Sequence, residues 1–305
     1  MFNFNVRFLT PVLLMLTLLL VSREARAQDD EVVRVNTDLV VLNVTVTDKA
    51  GQYVRALKPS DFKIFEDGKL VDPTLITSFS LQDSPYAAVV LLDSSGSMEE
   101  RFSLARSAAI RFLEGLRDED VAAVFKFDSK VEQVQDFTGG RDLAPTVYSI
   151  HAKGMTTLND AIVQASKALA ERPEKRKAIV VLSDGMDTYS KFSSNKAVES
   201  ALAIGASIYA VDMSSLETPG SSNHQSALVL KSFAEKTGGR FVSTPGGPAL
   251  RDAFTEIAEE LGHQYTISFK PANPQHDGKW RSLQVHLTRD DLYVRTRTGY
   301  RAPKG

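Results

Sequence analysis

Between residues 85 and 262, runs of purely apolar residues alternate with stretches whose apolar positions recur every three or four residues. Ala87-Ala88-Val89-Val90-Leu91-Leu92 and Ala178-Ile179-Val180-Val181-Leu182 contain no polar residue. A strand reads this way when both its faces are covered, as inside a parallel sheet flanked by helices. Further strands are predicted at 121–127, 131–137, 207–211 and 240–243, the first two close enough to form a hairpin. Helical periodicity runs over 100–117, 158–171, 194–204, 226–237 and 249–261. This alternation predicts an α/β fold built on a doubly wound, mostly parallel six-stranded sheet.

The flanks follow a different rhythm. Residues 39–47, 62–65 and 76–79 are short β-type segments, separated by turns at Asp48-Lys49-Ala50-Gly51 and Glu66-Asp67-Gly68. Residues 264–269, 283–287 and 292–296 return to β, with a turn at Asp277-Gly278. About 43 C-terminal residues are too few for an independent core. The expected organisation is therefore a β-sandwich made from 28–84 and 263–305, with the α/β domain, 85–262, inserted between its two parts.

Residues 1–27 differ again: Arg7, an apolar stretch from Phe8 to Val21, then Ala25-Arg26-Ala27. The stretch is short for a spanning helix and suits an export signal cleaved before Gln28. Removing it takes away three basic and one acidic residue from 36 and 38, leaving 33 against 37 and a net charge of −4. Such a balance gives no basic face for a phosphate backbone, so a nucleic-acid binder is not expected. The chain has no cysteine, which removes disulfides, thiolate metal sites and cysteine nucleophiles. An exported, periplasmic or extracellular protein is expected. Asn43-Val44-Thr45 matches a glycosylation sequon but falls inside a predicted strand.

The candidate chemistry sits where apolar strands end. The first ends in Asp93-Ser94-Ser95-Gly96-Ser97, one carboxylate and two hydroxyls at alternate positions of a tight loop. The strand at 178–182 ends in Ser183-Asp184-Gly185. Between them Lys153-Gly154-Met155-Thr156-Thr157 presents hydroxyls just before a helix. In open α/β sheets, ligands bind at the carboxyl ends of strands, where strand order reverses. If the strands ending at 93 and 184 are neighbours, the two carboxylates meet there. The donors are all hard oxygens, suited to Mg²⁺, Mn²⁺ or Ca²⁺ rather than Zn²⁺.

Asp93-x-Ser95-x-Ser97, the threonine of Gly154-Met155-Thr156 and the aspartate of Leu182-Ser183-Asp184-Gly185 resemble the five elements of the metal-ion-dependent adhesion site of von Willebrand factor type A domains. The order of strands and helices over 85–262 is similar too. The flanking Asp61-Phe62, Glu66-Asp67-Gly68 and Gly299-Tyr300 resemble a bacterial secreted subfamily, the VWFA-related proteins. The resemblance implies a metal-dependent, non-enzymatic adhesion module. Ser95, Ser97 and Thr156 would be direct ligands, and Asp93 and Asp184 would bind directly or through water. A carboxylate of a protein partner would complete the coordination.

Other readings stand beside this one. Ser97 with Glu100 also spells a capping box, Asp184 can cap a turn, and Thr156 or Thr157 can cap the following helix. Asp160 and Asp187 read as caps or solvated residues. The polar connection 213–226 leaves the same end of the sheet and is a candidate partner loop. A structural or assembly factor of the cell envelope without exchangeable metal is the alternative function. A serine hydrolase fares worse: His151, His224, His263, His276 and His286 show no metal spacing, and no HExxH, G-x-S-x-G or Walker pattern occurs.

Overall fold

The computed structural model describes residues 39–81, 84–184, 187–214, 221–244 and 247–304, with backbone alone at 221–224. The export signal expected at 1–27 lies outside them, as does Gly185. The described residues begin with four strands: β1 (Val40–Thr47), β2 (Phe62–Glu66), β3 (Lys69–Leu70) and β4 (Ile76–Leu81). It then builds the α/β layer. The strands are β5 (Tyr86–Asp93), β6 (Val121–Phe127), β7 (Val131–Thr138), β8 (Arg176–Ser183), β9 (Ala206–Asp212) and β10 (Phe241–Ser243). The helices are α1 (Phe102–Glu114), the single turn α2 (Pro145–Tyr148), α3 (Leu158–Ala170), α4 (Ser194–Ala203), α5 (Ser221–Thr237) and α6 (Gly247–Gly262).

These six strands form one sheet in the order β10-β9-β8-β5-β6-β7, parallel except for β7 against β6. Every residue of β5 is buried. Ala88, Val90 and Leu92 pack with Phe102, Phe112, Phe254 and Ile257 of α1 and α6. Ala87, Val89 and Leu91 pack on the opposite face with Leu158, Ile162, Ala201 and Phe233 of α3, α4 and α5. Covering both faces is what made these strands apolar throughout.

Two helices differ from the sequence expectation by three residues or more at one end. The helix expected over 100–117 spans 102–114, after a 3-10 turn at Gly96–Met98 whose Met98 is fully buried. Its end is set where α6 crosses it: a Cβ on Gly115 would stand 2.7 Å from Cβ of Ala258. The helix expected from 226 begins at 221, so His224 is helical and the connection after β9 is shorter than read. No apolar residue recurs before Ala227, so periodicity could not mark that first turn. The centre of this connection, 215–220, lies outside the described residues.

The C-terminal strands are β11 (Tyr265–Phe269), β12 (Trp280–Leu287), β13 (Tyr293–Arg295) and β14 (Gly299–Arg301). With β1–β4 they form two four-stranded sheets, β13-β1-β11-β4 and β14-β12-β2-β3. Val44 pairs with Tyr265, Tyr265 with Leu81, and Val285 with Ile64. Each sheet thus interleaves strands from before and after the α/β layer. Leu42, Val44, Ile64, Ile267, Phe269 and Val285 fill the shared core.

The sandwich meets the α/β layer at the end of α6. Glu260 is 1% exposed; its Oε1 accepts from Thr45 Oγ1 at 3.1 Å and Tyr209 Oη at 3.0 Å and is paired with Arg295. Gln264 Nε2 donates to Thr45 Oγ1 and Tyr209 Oη, closing the network. No helix among the described residues is long and apolar enough to cross a membrane.

Candidate functional site

Strand order reverses between β5 and β8. From β5 the chain moves to β6 on one side, and through α3 it returns to β8 on the other. The diverging loops leave a crevice at the carboxyl ends of these two strands. Asp93 ends β5, Ser183 ends β8, and Asp184 follows directly.

Three of the candidate residues are joined by direct bonds. Asp93 Oδ1 accepts from the Ser95 backbone N–H at 2.9 Å, and Ser95 Oγ and Ser97 Oγ lie 3.2 Å apart. Across the crevice Ser183 Oγ donates to Asp93 Oδ2 at 2.5 Å, which ties the ends of β5 and β8 together. The loop carrying Thr156 is laced to the first: Gly96 N donates to Gly154 O at 3.1 Å, and Lys153 N to Ser94 O at 2.8 Å. Gly154 has φ +82°, and a Cβ there would stand 2.7 Å from Ser129 Oγ, so only glycine lets the loop approach this closely. Thr156 is 4% exposed; its N–H donates to Thr188 Oγ1, and its carbonyl accepts from Thr188 N and Tyr189 N, each at 3.0 Å.

The electrostatics are those of a carboxylate pair short of a counter-charge. Asp93 is fully buried, and burial pushes its carboxyl up to about 7, despite the lowering effect of the Ser183 and Ser95 bonds. The neighbouring charge of Asp184 adds to the rise. Among the described residues Asp184 Oδ1 is buried with no hydrogen-bond partner. An orphaned carboxylate oxygen beside a destabilised one, ringed by hydroxyls, fits a hard divalent cation. Zn²⁺ fits poorly, since among the described residues no three His, Cys, Asp or Glu side chains gather.

The competing capping roles can now be placed. Arg101, not Ser97, stands at the N-cap of α1, without a side-chain cap bond, so the Ser97–Glu100 box does not form. Thr157 Oγ1 donates to Asp128 O rather than capping α3. Asp187 does cap α3, accepting from Asn159 N at 2.8 Å, and Asp160 accepts from Lys191 N and Phe192 N. No histidine takes part in the hydrogen bonds described for Ser94, Ser95, Ser97 and Ser183. Sequence reasoning missed the part played by Ser183 in holding Asp93; its place one residue before Asp184, at the end of a buried strand, was the available signal.

Residues 88–186 match the family model of the von Willebrand factor type A domain. This segment is a von Willebrand factor type A domain. It runs from β5 past Asp184 and so contains all five candidate residues. Among solved structures, a von Willebrand factor type A protein from Catenulispora acidiphila is 14% identical, with 87% of this chain and 73% of that one covered and a TM-score of 0.46. The vWF domain of the type V pili tip protein Mfa5 from Porphyromonas gingivalis is 14% identical over 58% of this chain and 95% of that one, with a TM-score of 0.46. The PilB minor pilin from Streptococcus sanguinis is 14% identical over 60% of this chain, with a TM-score of 0.46; the match spans only 63% of the pilin's length. No curated protein matches the chain.

Proposed function

We propose that the type A domain is a divalent-cation-dependent protein-binding module, exported from the cytoplasm by the signal at 1–27, and not an enzyme. Ser95, Ser97 and Thr156 offer hydroxyl oxygens to Mg²⁺ or Mn²⁺, and Asp93 and Asp184 supply the negative charge. A bound cation supplies a Lewis-acidic position that a carboxylate of a protein partner can fill. The observation that carries this reading is Asp184 Oδ1, buried without a partner among the described residues and beside the buried Asp93. The chain's own contribution is positional. Ser183 and the Ser95 N–H fix the two oxygens of Asp93, and the Gly96–Gly154 bond holds the threonine loop against the serine loop.

Titration calorimetry of the full-length chain with Mg²⁺ or Mn²⁺ tests this. Saturable binding is expected, absent in Asp93→Ala and strongly weakened in Asp184→Ala, with a melting temperature that rises as cation is added. No binding to the wild type, or equal binding after Asp184→Ala, removes the assignment. The Ser95–Ser97 hydroxyl pair, satisfied without any ion, favours a second reading: a structural factor of the cell envelope with no exchangeable metal. Partner capture from native envelope that is indifferent to a chelator selects it.

A further inference from the structure

The segment 187–192, between β8 and α4, has neither helix nor strand, yet it is fastened along its length. Thr188 N and Tyr189 N both donate to Thr156 O, and Thr188 Oγ1 accepts from Thr156 N. Asp187 accepts from Asn159 N and from Ser190 N and Oγ; Asp160 N donates to Ser190 Oγ; and Asp160 Oδ1 accepts from Lys191 N and Phe192 N. Every residue from 187 to 192 is thus bonded, by backbone or side chain, to the threonine loop, the start of α3 or a neighbour within the segment.

What this clamp holds out to solvent is apolar. Tyr189 is 58% exposed and Phe192 39%, and Met155 on the facing loop is 50% exposed. Thr188 Oγ1 lies 4.0 Å from Met155 Sδ, and Tyr189 is bonded to the carbonyl of Thr156. Tyr189 and Met155 therefore flank a candidate ligand residue. The same two loops carry exposed Lys153 and Lys191. Aromatic side chains carried on a backbone that is fastened before binding cost less entropy to immobilise, and such residues make the anchors of protein interfaces.

We propose that Met155, Tyr189 and Phe192 form a rigid apolar platform that sets the partner's chemistry. The partner is a protein segment with an Asp or Glu within one or two residues of a large apolar side chain. The carboxylate reaches the cation, the apolar neighbour packs on Tyr189 and Met155, and Lys153 and Lys191 favour an acidic segment. This rests on the cation-dependent carboxylate contact proposed above.

The test uses a random peptide library displayed on phage, panned on the full-length protein in Mg²⁺ and eluted with chelator. Eluted clones should pair an acidic residue with a nearby Phe, Tyr, Trp, Leu, Ile or Met. A synthetic peptide of that sequence should bind Tyr189→Ser and Phe192→Ser roughly tenfold or more weakly, while Tyr189→Phe keeps most of the affinity. Calorimetric Mg²⁺ affinity of the serine variants should stay at the wild-type value. Clones enriched in acidic residues alone, or a peptide that binds the serine variants as it binds the wild type, overturn the platform and leave the cation reading standing. No clones enriched in the chelator eluate, or a synthetic peptide that binds the wild type equally well in chelator, overturns both.

Discussion

A side chain at position 154 would have nowhere to go. The backbone there lies at φ +82°, and a Cβ would press on Ser129 Oγ, which accepts from Met155 N. Gly154→Ala is expected to cost about 1–3 kcal/mol, read from urea denaturation. It should also weaken cation binding, because the Gly154 carbonyl anchors Gly96 between the two serines. His263 gives a second residue-scale prediction, at the junction of α6 with the sandwich. It stacks on Tyr53 at 5.0 Å, its Nδ1 bonds to Glu259 O, and Arg55 faces its Nε2. Burial, then Arg55 and Arg117, hold its pKa below the ordinary 6.5, against the raising influence of Glu259. As pH falls through 6.5 the unfolded chain takes up the proton first, so stability is lost on acidification. His263→Gln should flatten that loss in urea midpoints measured against pH. At this scale the sequence showed Asp93, Ser95 and Ser97, which lie within one turn of chain. The orphaned state of Asp184 and the Ser183–Asp93 bond depend on two strands 90 residues apart lying side by side, which no local spacing states.

The helix α6 ends by carrying a carboxylate into the interior. A negative charge near a helix C-terminus is disfavoured by the dipole, and Glu260 is tolerated there because Arg295, Tyr209 and Thr45 converge on it. Glu260→Ala is expected to destabilise the protein by about 3 kcal/mol, since it leaves Arg295 and the Tyr209 hydroxyl short of their acceptor. Glu260→Ala with Arg295→Met should cost less than the sum of the two single changes, which a double-mutant cycle in urea reads. Elements were legible where burial wrote itself into a period. The doubly covered β5 and β8 were plain, and α3 showed its stripe through Leu158, Ile162, Ala165 and Leu169. The first turn of α5 carries no apolar residue, and the two-residue β3 and three-residue β14 are too short to show a period.

For the molecule as a whole, the decisive pairing is Leu81 with Tyr265. The chain leaves the sandwich at the end of β4 and returns to it at the start of β11, beside the point of departure. A chain ending at residue 262 would lose β11 and β12, inner strands of the two sheets, and leave β1 and β2 with open edges. It is expected to aggregate, whereas residues 85–262 alone, with a core on both faces of their sheet, should stay monomeric; light scattering separates the outcomes. The same pairing has a mechanical meaning. Tension applied between residues 39 and 304 reaches β1 and β14 first and passes between them through the ladders of the sandwich. While β4 and β11 stay zipped, the backbone of the 183 residues between Leu81 and Tyr265 is not drawn out between those ends, although β14 and the residues before it touch α4 and α5 through contacts such as Arg301 with Glu199 and Thr298 N with Lys236 O. A partner held at the crevice between β5 and β8 could then be hauled on through the chain's ends without stretching the loops that grip it, until the sandwich itself unravels.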